Sequence, residues 1–155
     1  YLAERHAGVW PADAKARAYA RCAAAEMHSG FTALRGYCPM NVGIRVQIDV
    51  LPEGLRRDLS RLTELWLQGL QQFGGPFLAG AQFTAVDAFF APVAFRVQTC
   101  QLPLPDAAKA YVDRLLALPG MQAWQQAALQ ETSRDPSHEV ESAAVGQIVA
   151  DYRAV

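Results

Sequence analysis

The chain has 155 residues, of which 52% are hydrophobic and 19% charged, and its formal net charge is −1. This size and apolar content fit one compact domain, and the near-neutral charge argues against a nucleic-acid partner, which needs clustered Lys and Arg. No apolar run approaches the about 20 residues that span a bilayer, and no signal peptide opens the chain, so we expect a cytoplasmic domain that binds no membrane.

The first predicted elements are the end of a helix, a linker and a long helix. Residues 1–8 have the pattern of a helix end that a glycine stops. Asp13 is a suitable N-cap for a helix that continues to about Gly36. Gly30 interrupts the alanine-rich pattern of this helix, and glycine inside a helix costs about 1 kcal/mol relative to alanine. A requirement other than helix propensity therefore selects the residues around it.

The middle of the chain predicts an extended segment and a second helix. Four apolar residues alternate with polar ones, at the period of a strand: Ile44, Val46, Ile48 and Val50. Because a lone strand has no partner, we expect either an extended connection along the bundle or a strand that pairs with its copy in a dimer. The second helix is amphipathic, with apolar positions at Leu55, Leu59, Leu62, Trp66, Leu70 and Phe73.

Residues 83–98 predict a helix that is buried on nearly every side. Thr84 and Asp87 have the spacing of a capping box, in which each side chain satisfies a backbone N–H of the other residue. Apolar residues follow at almost every position, so other helices must surround this one. Pro92 lacks the N–H that would bond the Ala88 carbonyl, which predicts a kink between these two residues.

Two short helices and a tail complete the prediction. The helices are expected at residues 107–118 and 119–131. The apolar pattern weakens beyond residue 132, although five residues could form the face of one more helix: Val140, Val145, Ile148, Val149 and Tyr152. The predicted fold is thus an all-α helical bundle around a buried central helix.

The residue pattern offers few groups for chemistry. The three histidines are too widely spaced for a metal-ligand pair on one helix, and motifs for a phosphate-binding loop, a dinucleotide site or a nucleophile elbow are missing. Cys22, Cys38 and Cys100 lack the spacing of a disulfide framework or a zinc site, so we expect three small buried thiols. His28 remains as the main candidate for a functional side chain.

The arrangement resembles the C-terminal helical domain of cytosolic glutathione S-transferases. In that family a Gly-Pro-rich turn leads into a Ser/Thr-x-x-Asp box that opens the core helix, and this chain has the box at Thr84 and Asp87. Residues 118–124 are similar to the Leu-Pro-x-x-x-x-Trp run that closes the helical domain in many members. The resemblance implies a glutathione S-transferase C-terminal-like bundle.

The same resemblance implies three regions. Residues 1–8 are similar to the end of the last helix of an N-terminal thioredoxin-like domain, which the chain would otherwise lack. Residues 9–131 would form the helical domain. Residues 132–155 would be a C-terminal tail that holds at most one extra helix.

The candidate site rests on a second match. Glu26-x-His28-x-x-Phe31 resembles the Glu-Leu-His-Lys-x-Phe run of beta-class bacterial glutathione transferases, in which the histidine faces the glutathione thiol. Ser29 stands where that class has lysine. The resemblance implies that His28 and Ser29 contact glutathione, and the expected substrate-binding residues are Met27, His28, Phe31, Leu34 and Arg35. Polar candidates at the rim are Arg35, Asn41 and Arg96. A lone histidine and an apolar stripe are also common in helices without a site, so a structural role stays open.

Two functions follow from the resemblance. The first is the electrophile-binding part of a detoxifying, dimeric glutathione transferase, which adds the glutathione thiolate to a small hydrophobic electrophile or exchanges it in a thiol–disulfide step. The family places its thiol-activating Ser, Tyr or Cys in the N-terminal domain, so we expect no catalytic residue here, no metal, and no activity of the isolated chain. The alternative is a non-catalytic protein-interaction module with the same fold.

Overall fold

The computed structural model describes residues 1–153, which form eight helices and a two-stranded sheet. The helices are α1 (Leu2–Arg5), α2 (Ala14–Ser29), α3 (Thr32–Tyr37), α4 (Glu53–Gln72), α5 (Ala85–Thr99), α6 (Asp106–Leu116), α7 (Pro119–Gln130) and α8 (Pro136–Ala144). The strands are β1 (Ile44–Gln47) and β2 (Gln147–Asp151). The predicted helical bundle is confirmed, with a small sheet added to it.

Helix α5 lies at the centre of the bundle, as its apolar pattern predicts. It packs against α2 and α6, and most of its side chains are buried. The indole of Trp66 in α4 lies 5.6 Å from the Phe90 ring and 5.0 Å from the Tyr111 ring of α6, so three helices share one aromatic cluster. The helix continues without a break through Pro92.

The capping box at the start of α5 is present, and its carboxylate does more than cap the helix. Asp87 is fully buried. Its Oδ2 accepts from the N–H of Thr84 at 2.9 Å and from the Thr84 hydroxyl at 3.4 Å. Its Oδ1 accepts from the N–H of Leu78 at 3.0 Å and from the Tyr111 hydroxyl at 2.9 Å. Burial raises the pKa of Asp87, and these hydrogen bonds to its charged form act in the opposite direction.

The predicted single long helix at the N-terminal side is wrong, because the structure divides it into α2 and α3. Phe31, between them, has a φ of 52°, in the left-handed region that bulky residues rarely adopt. Its side chain is nevertheless buried in the core. The N–H of Leu34, a first-turn donor of α3, donates to Oδ2 of Asp58 in α4 at 2.8 Å. Burial of Phe31 and the cap from a neighbouring helix thus stabilise the break.

The alternating segment forms strand β1, and its partner lies in the same chain. β1 pairs antiparallel with β2, with Ile44 opposite Asp151 and Gln47 opposite Gln147. The prediction of an unpaired connection, or of pairing with a second copy, is therefore corrected. Sequence distance hid this pairing, because about a hundred residues separate the two strands and β2 itself has no alternating pattern.

The tail folds back onto the bundle in a way that the sequence pattern did not predict. Val140 lies in α8, but Ile148 lies in β2, so the expected single helix face does not form. The guanidinium of Arg153 holds the tail together, because it contacts the carboxylates of both Glu139 and Asp151 at 2.7 Å. None of the helices within residues 1–153 has the length and apolar character needed to cross a membrane.

The cysteines differ in exposure. Cys38 and Cys100 are buried as expected, whereas Cys22 is exposed on the surface of α2, which corrects the prediction for that thiol. The two buried thiols are neighbours: a hydrogen bond between them lowers the pKa of Cys100 and raises that of Cys38.

Replacing Asp87 by asparagine should lower the free energy of unfolding by about 2 to 3 kcal/mol. In either orientation the new NH2 group faces a backbone N–H and a hydroxyl that both donate to the carboxylate, so buried donors lose their acceptor. Urea unfolding followed by circular dichroism measures the change. Asp49→Asn alters an exposed carboxylate and should stay within about 0.5 kcal/mol of the wild type. Equal midpoints for both variants would contradict the role assigned to Asp87.

A thiol reagent such as 5,5′-dithiobis(2-nitrobenzoate) should label one cysteine in the native chain and all three in denaturant. The reason is that only Cys22 is exposed among the three thiols. Release of the coloured thiolate counts the reacted groups. Cys22→Ser should abolish the fast native reaction, and two or more fast equivalents in the native wild type would show that the buried pair is accessible.

Candidate functional site

The candidate site is an exposed surface formed by α2 and α5 beside the linker. A cavity of about 290 Å³ opens there, and the lining residues, which we call the His28 surface, are Trp10, Arg21, Ala24, Ala25, His28 and Phe89. Phe89 is 42% exposed although α5 is otherwise the most buried helix. An apolar face of the central helix is therefore left uncovered by the described part of the chain.

His28 lies in the last turn of α2 with its side chain exposed. Its imidazole has no hydrogen-bond partner within residues 1–153, while its backbone carbonyl accepts from Arg35 Nη1 at 3.1 Å. A neutral imidazole carries one N–H donor and one acceptor nitrogen. Both ring nitrogens are thus available to a ligand on the His28 surface.

Three of the predicted substrate-binding residues belong to the core instead. Met27, Phe31 and Leu34 are 8%, 5% and 0% exposed, and all three pack within the hydrophobic core of the bundle. Successive residues of a helix point about 100° apart, so Met27 faces inward where His28 faces outward. The expected apolar pocket floor is corrected: these side chains hold α2 and α3 on the bundle.

The remaining predicted residues are polar and lie at the surface. Ser29 is exposed, and its hydroxyl donates to the Ala25 carbonyl at 3.0 Å. Arg35 is exposed and borders His28 through the hydrogen bond described above. Arg96 of α5 is half-buried, and its Nη1 donates to the carbonyls of Cys38 and Arg35. His28, Arg35 and Arg96 therefore form one connected row, which leads away from the His28 surface.

That row ends at a second and larger space, a cavity of about 600 Å³ that we call the tail cavity. It lies between the loop after α3, helices α5 and α7, and the segment 131–142. Its side chains include Arg35, Asn41, Arg96, Trp124, His138 and Arg153. Sequence reasoning named Asn41 and Arg96 only as rim residues and missed both Trp124 and the tail, since no local pattern links residues so far apart in the chain.

Sequence reasoning also missed Trp10, Arg21 and Phe89 as members of the His28 surface. A signal for Phe89 was present, because a helix that is apolar on every side needs a neighbour on every side. Trp10 of the linker is partly buried against the core. Among residues 1–153, no group of three or more His, Cys, Asp or Glu side chains is placed to hold a metal ion.

Comparison with known proteins adds the family. The sequence-family model for "Glutathione S-transferase, C-terminal domain" matches residues 13–127. Among solved structures, the chain is similar to a glutathione transferase homolog from Burkholderia gl BGR1 with bound glutathione, at 25% identity and a TM-score of 0.56. That match covers 83% of this chain and 62% of the other, so the chain spans less than two thirds of that protein's length. No curated protein sequence matches. The family match covers most of the chain, from the N-cap of α2 into α7, and the chain therefore belongs to the glutathione S-transferase C-terminal domain family.

Proposed function

We propose that this chain is the electrophile-binding helical part of a glutathione-dependent transferase, and that the His28 surface forms one wall of its active cleft. The observation that carries the proposal is the uncovered face of α5, where Phe89 lies exposed beside the imidazole of His28, which has no hydrogen-bond partner within residues 1–153. A similar protein has been solved with bound glutathione, which supports glutathione as the co-substrate. The second substrate is a small hydrophobic electrophile.

The proposed cover of this face is an N-terminal thioredoxin-like domain. The match covers 62% of the similar transferase homolog, so part of that protein lies outside the matched region, and this supports a further domain in the full-length protein. That domain supplies the group that ionises the glutathione thiol, so the isolated chain is inactive. The full-length protein is a cytoplasmic homodimer in this proposal. Burying Phe89 and the adjoining alanines against the domain removes apolar surface from water, worth about 25 cal/mol per Å².

Each polar group of the His28 surface has a role in this cleft. An imidazole N–H of His28 donates to the glutathione sulfur and favours its thiolate. The guanidinium of Arg21 can pair with a carboxylate of the tripeptide, because such charge-assisted hydrogen bonds are the strongest available to a side chain. Ser29 follows His28 in the chain, and its hydroxyl adds a weaker contact to glutathione. These groups position the nucleophile, while Phe89 and Trp10 provide an apolar contact.

The test is His28→Ala in the full-length protein, assayed for conjugation of glutathione to 1-chloro-2,4-dinitrobenzene. We expect kcat/KM to fall about 10- to 100-fold, or about 1.4 to 2.7 kcal/mol of transition-state stabilisation, with an unchanged thermal midpoint. Lys15→Ala is the matched control, since Lys15 is exposed on the same helix about 20 Å away along its axis.

Three results would contradict the proposal or a part of it. One is full activity of His28→Ala, which would leave His28 as an ordinary surface residue. Another is a full-length protein that neither turns over the substrate nor binds glutathione, which would favour the protein-interaction module instead. Turnover by the isolated 155-residue chain, abolished by replacing a cysteine, would contradict the assignment of the nucleophile to another domain.

A further inference from the structure

The tail cavity has a basic wall, formed by Arg35 and Arg96, that makes no ion pair with a carboxylate within residues 1–153. Arg96 is half-buried, and within residues 1–153 its guanidinium bonds only to the carbonyls of Cys38 and Arg35. No carboxylate within residues 1–153 pairs with it, whereas Arg61 and Arg153 each contact two carboxylates. Burial lowers the pKa of Arg96; the neighbouring thiols of Cys38 and Cys100 act in the opposite direction, and the charge of Arg35 adds to the lowering. A partly desolvated cation is costly unless an anion accompanies it.

The opposite side of the cavity provides an apolar surface. The indole of Trp124 in α7 is 44% exposed, and its ring is held in edge contact with Phe95 at 5.2 Å. Ala128 lies one turn further along α7 in the same wall. A flat apolar group placed against Trp124 would gain contact area without reorganising the side chain, since Phe95 already fixes the ring.

The tail contributes a third wall, in which carboxylates outnumber arginines. Its carboxylates are those of Glu131, Asp135, Glu139 and Glu141, and its guanidinium groups are those of Arg134 and Arg153. Glu139 is engaged by Arg153, and Asp135 accepts from the Ser137 N–H at 2.8 Å and from its hydroxyl. This wall is unfavourable for a ligand with several negative charges, because like charges repel across a small cavity. A ligand with a single acidic group would therefore bind at the basic wall formed by α3 and α5.

We infer that the tail cavity binds a small organic acid, whose carboxylate pairs with Arg96 and Arg35 and whose apolar body packs on Trp124. A guanidinium matches a carboxylate with two parallel hydrogen bonds, which gives both affinity and orientation. The volume of about 600 Å³ is in the range of small-molecule sites. Arg96 and Arg35 are binding residues in this inference.

The inference deepens the proposed function, because Arg35 borders both the tail cavity and His28. An electrophile with one carboxylate could be held by the arginines while its reactive end extends toward the His28 surface. The inference rests on the proposed function only where it identifies the acid as a substrate. Binding of the acid to the cavity needs no turnover and is tested separately.

The experiment is isothermal titration calorimetry of the protein with three probes of one shape: 1-naphthoate, the neutral 1-naphthamide and the cationic 1-naphthylmethylammonium. We expect 1-naphthoate to bind at least 10-fold more tightly than the amide, and the cation to bind most weakly. Arg96→Met should weaken 1-naphthoate by about 10- to 100-fold and leave 1-naphthamide unchanged within twofold. Arg56→Gln removes an exposed charge on α4 from a residue that does not line the cavity, and should leave all three affinities unchanged.

Arg35→Gln is the second variant, in case Arg96→Met does not fold, because Arg35 is exposed and its loss disturbs no core contact. Arg35→Gln should weaken the binding of 1-naphthoate, by a smaller factor than Arg96→Met does, and should leave the binding of 1-naphthamide unchanged. Trp124→Ala should weaken both probes alike. Equal affinity for acid and amide, preference for the cation, or equal weakening of all probes by Arg96→Met would each overturn the inference. These outcomes are independent of conjugation activity, so failure here leaves the proposed function standing.

Discussion

The buried carboxylate of Asp87 is the group on which the rest of the structure depends. It accepts hydrogen bonds from the start of α5, from the loop residue Leu78 and from Tyr111 of α6, so one side chain joins three segments of the chain. Each partner is a donor, and a carboxylate is an acceptor at both oxygens, which makes the arrangement specific for aspartate. Removing it would expose unsatisfied donors in the core rather than merely fray a helix end.

The loop that contains Leu78 also determines how closely its neighbours pack around α4. Leu78, which donates to Asp87, also brings its carbonyl against Gly69 of α4, and a side chain at Gly69 would collide with that carbonyl and with the Tyr19 hydroxyl. Tyr19 of α2 in turn donates to the Leu65 carbonyl at 2.7 Å. Helices α2 and α4 therefore approach closely beside the loop that precedes α5, and burial raises the pKa of Tyr19 because its phenolate would lack water.

The candidate sites of this fold lie on the helix faces that the bundle leaves uncovered. The core uses the inward faces of α2 and α5, including Met27 and Phe90, and leaves His28 and Phe89 outside. Helices α2, α3 and α5 carry the row of polar groups that leads to the tail cavity, which is lined by α8 and the loop before β1. The proposed transferase site and the proposed acid-binding cavity thus lie on either side of Arg35.

The sequence by itself determined the helical bundle, the central helix and the capping box, because apolar periodicity and the spacing of Thr84 and Asp87 are local properties of the chain. It also singled out His28. Only the tertiary structure decided which way the neighbours of His28 point, that Phe31 breaks the helix, and that β1 finds its partner β2 in the tail. The physical reason is that these outcomes depend on contacts between distant residues. A cap from Asp58 leaves no periodic trace in α3. The alternation of β1 indicates a strand but does not tell which distant segment pairs with it.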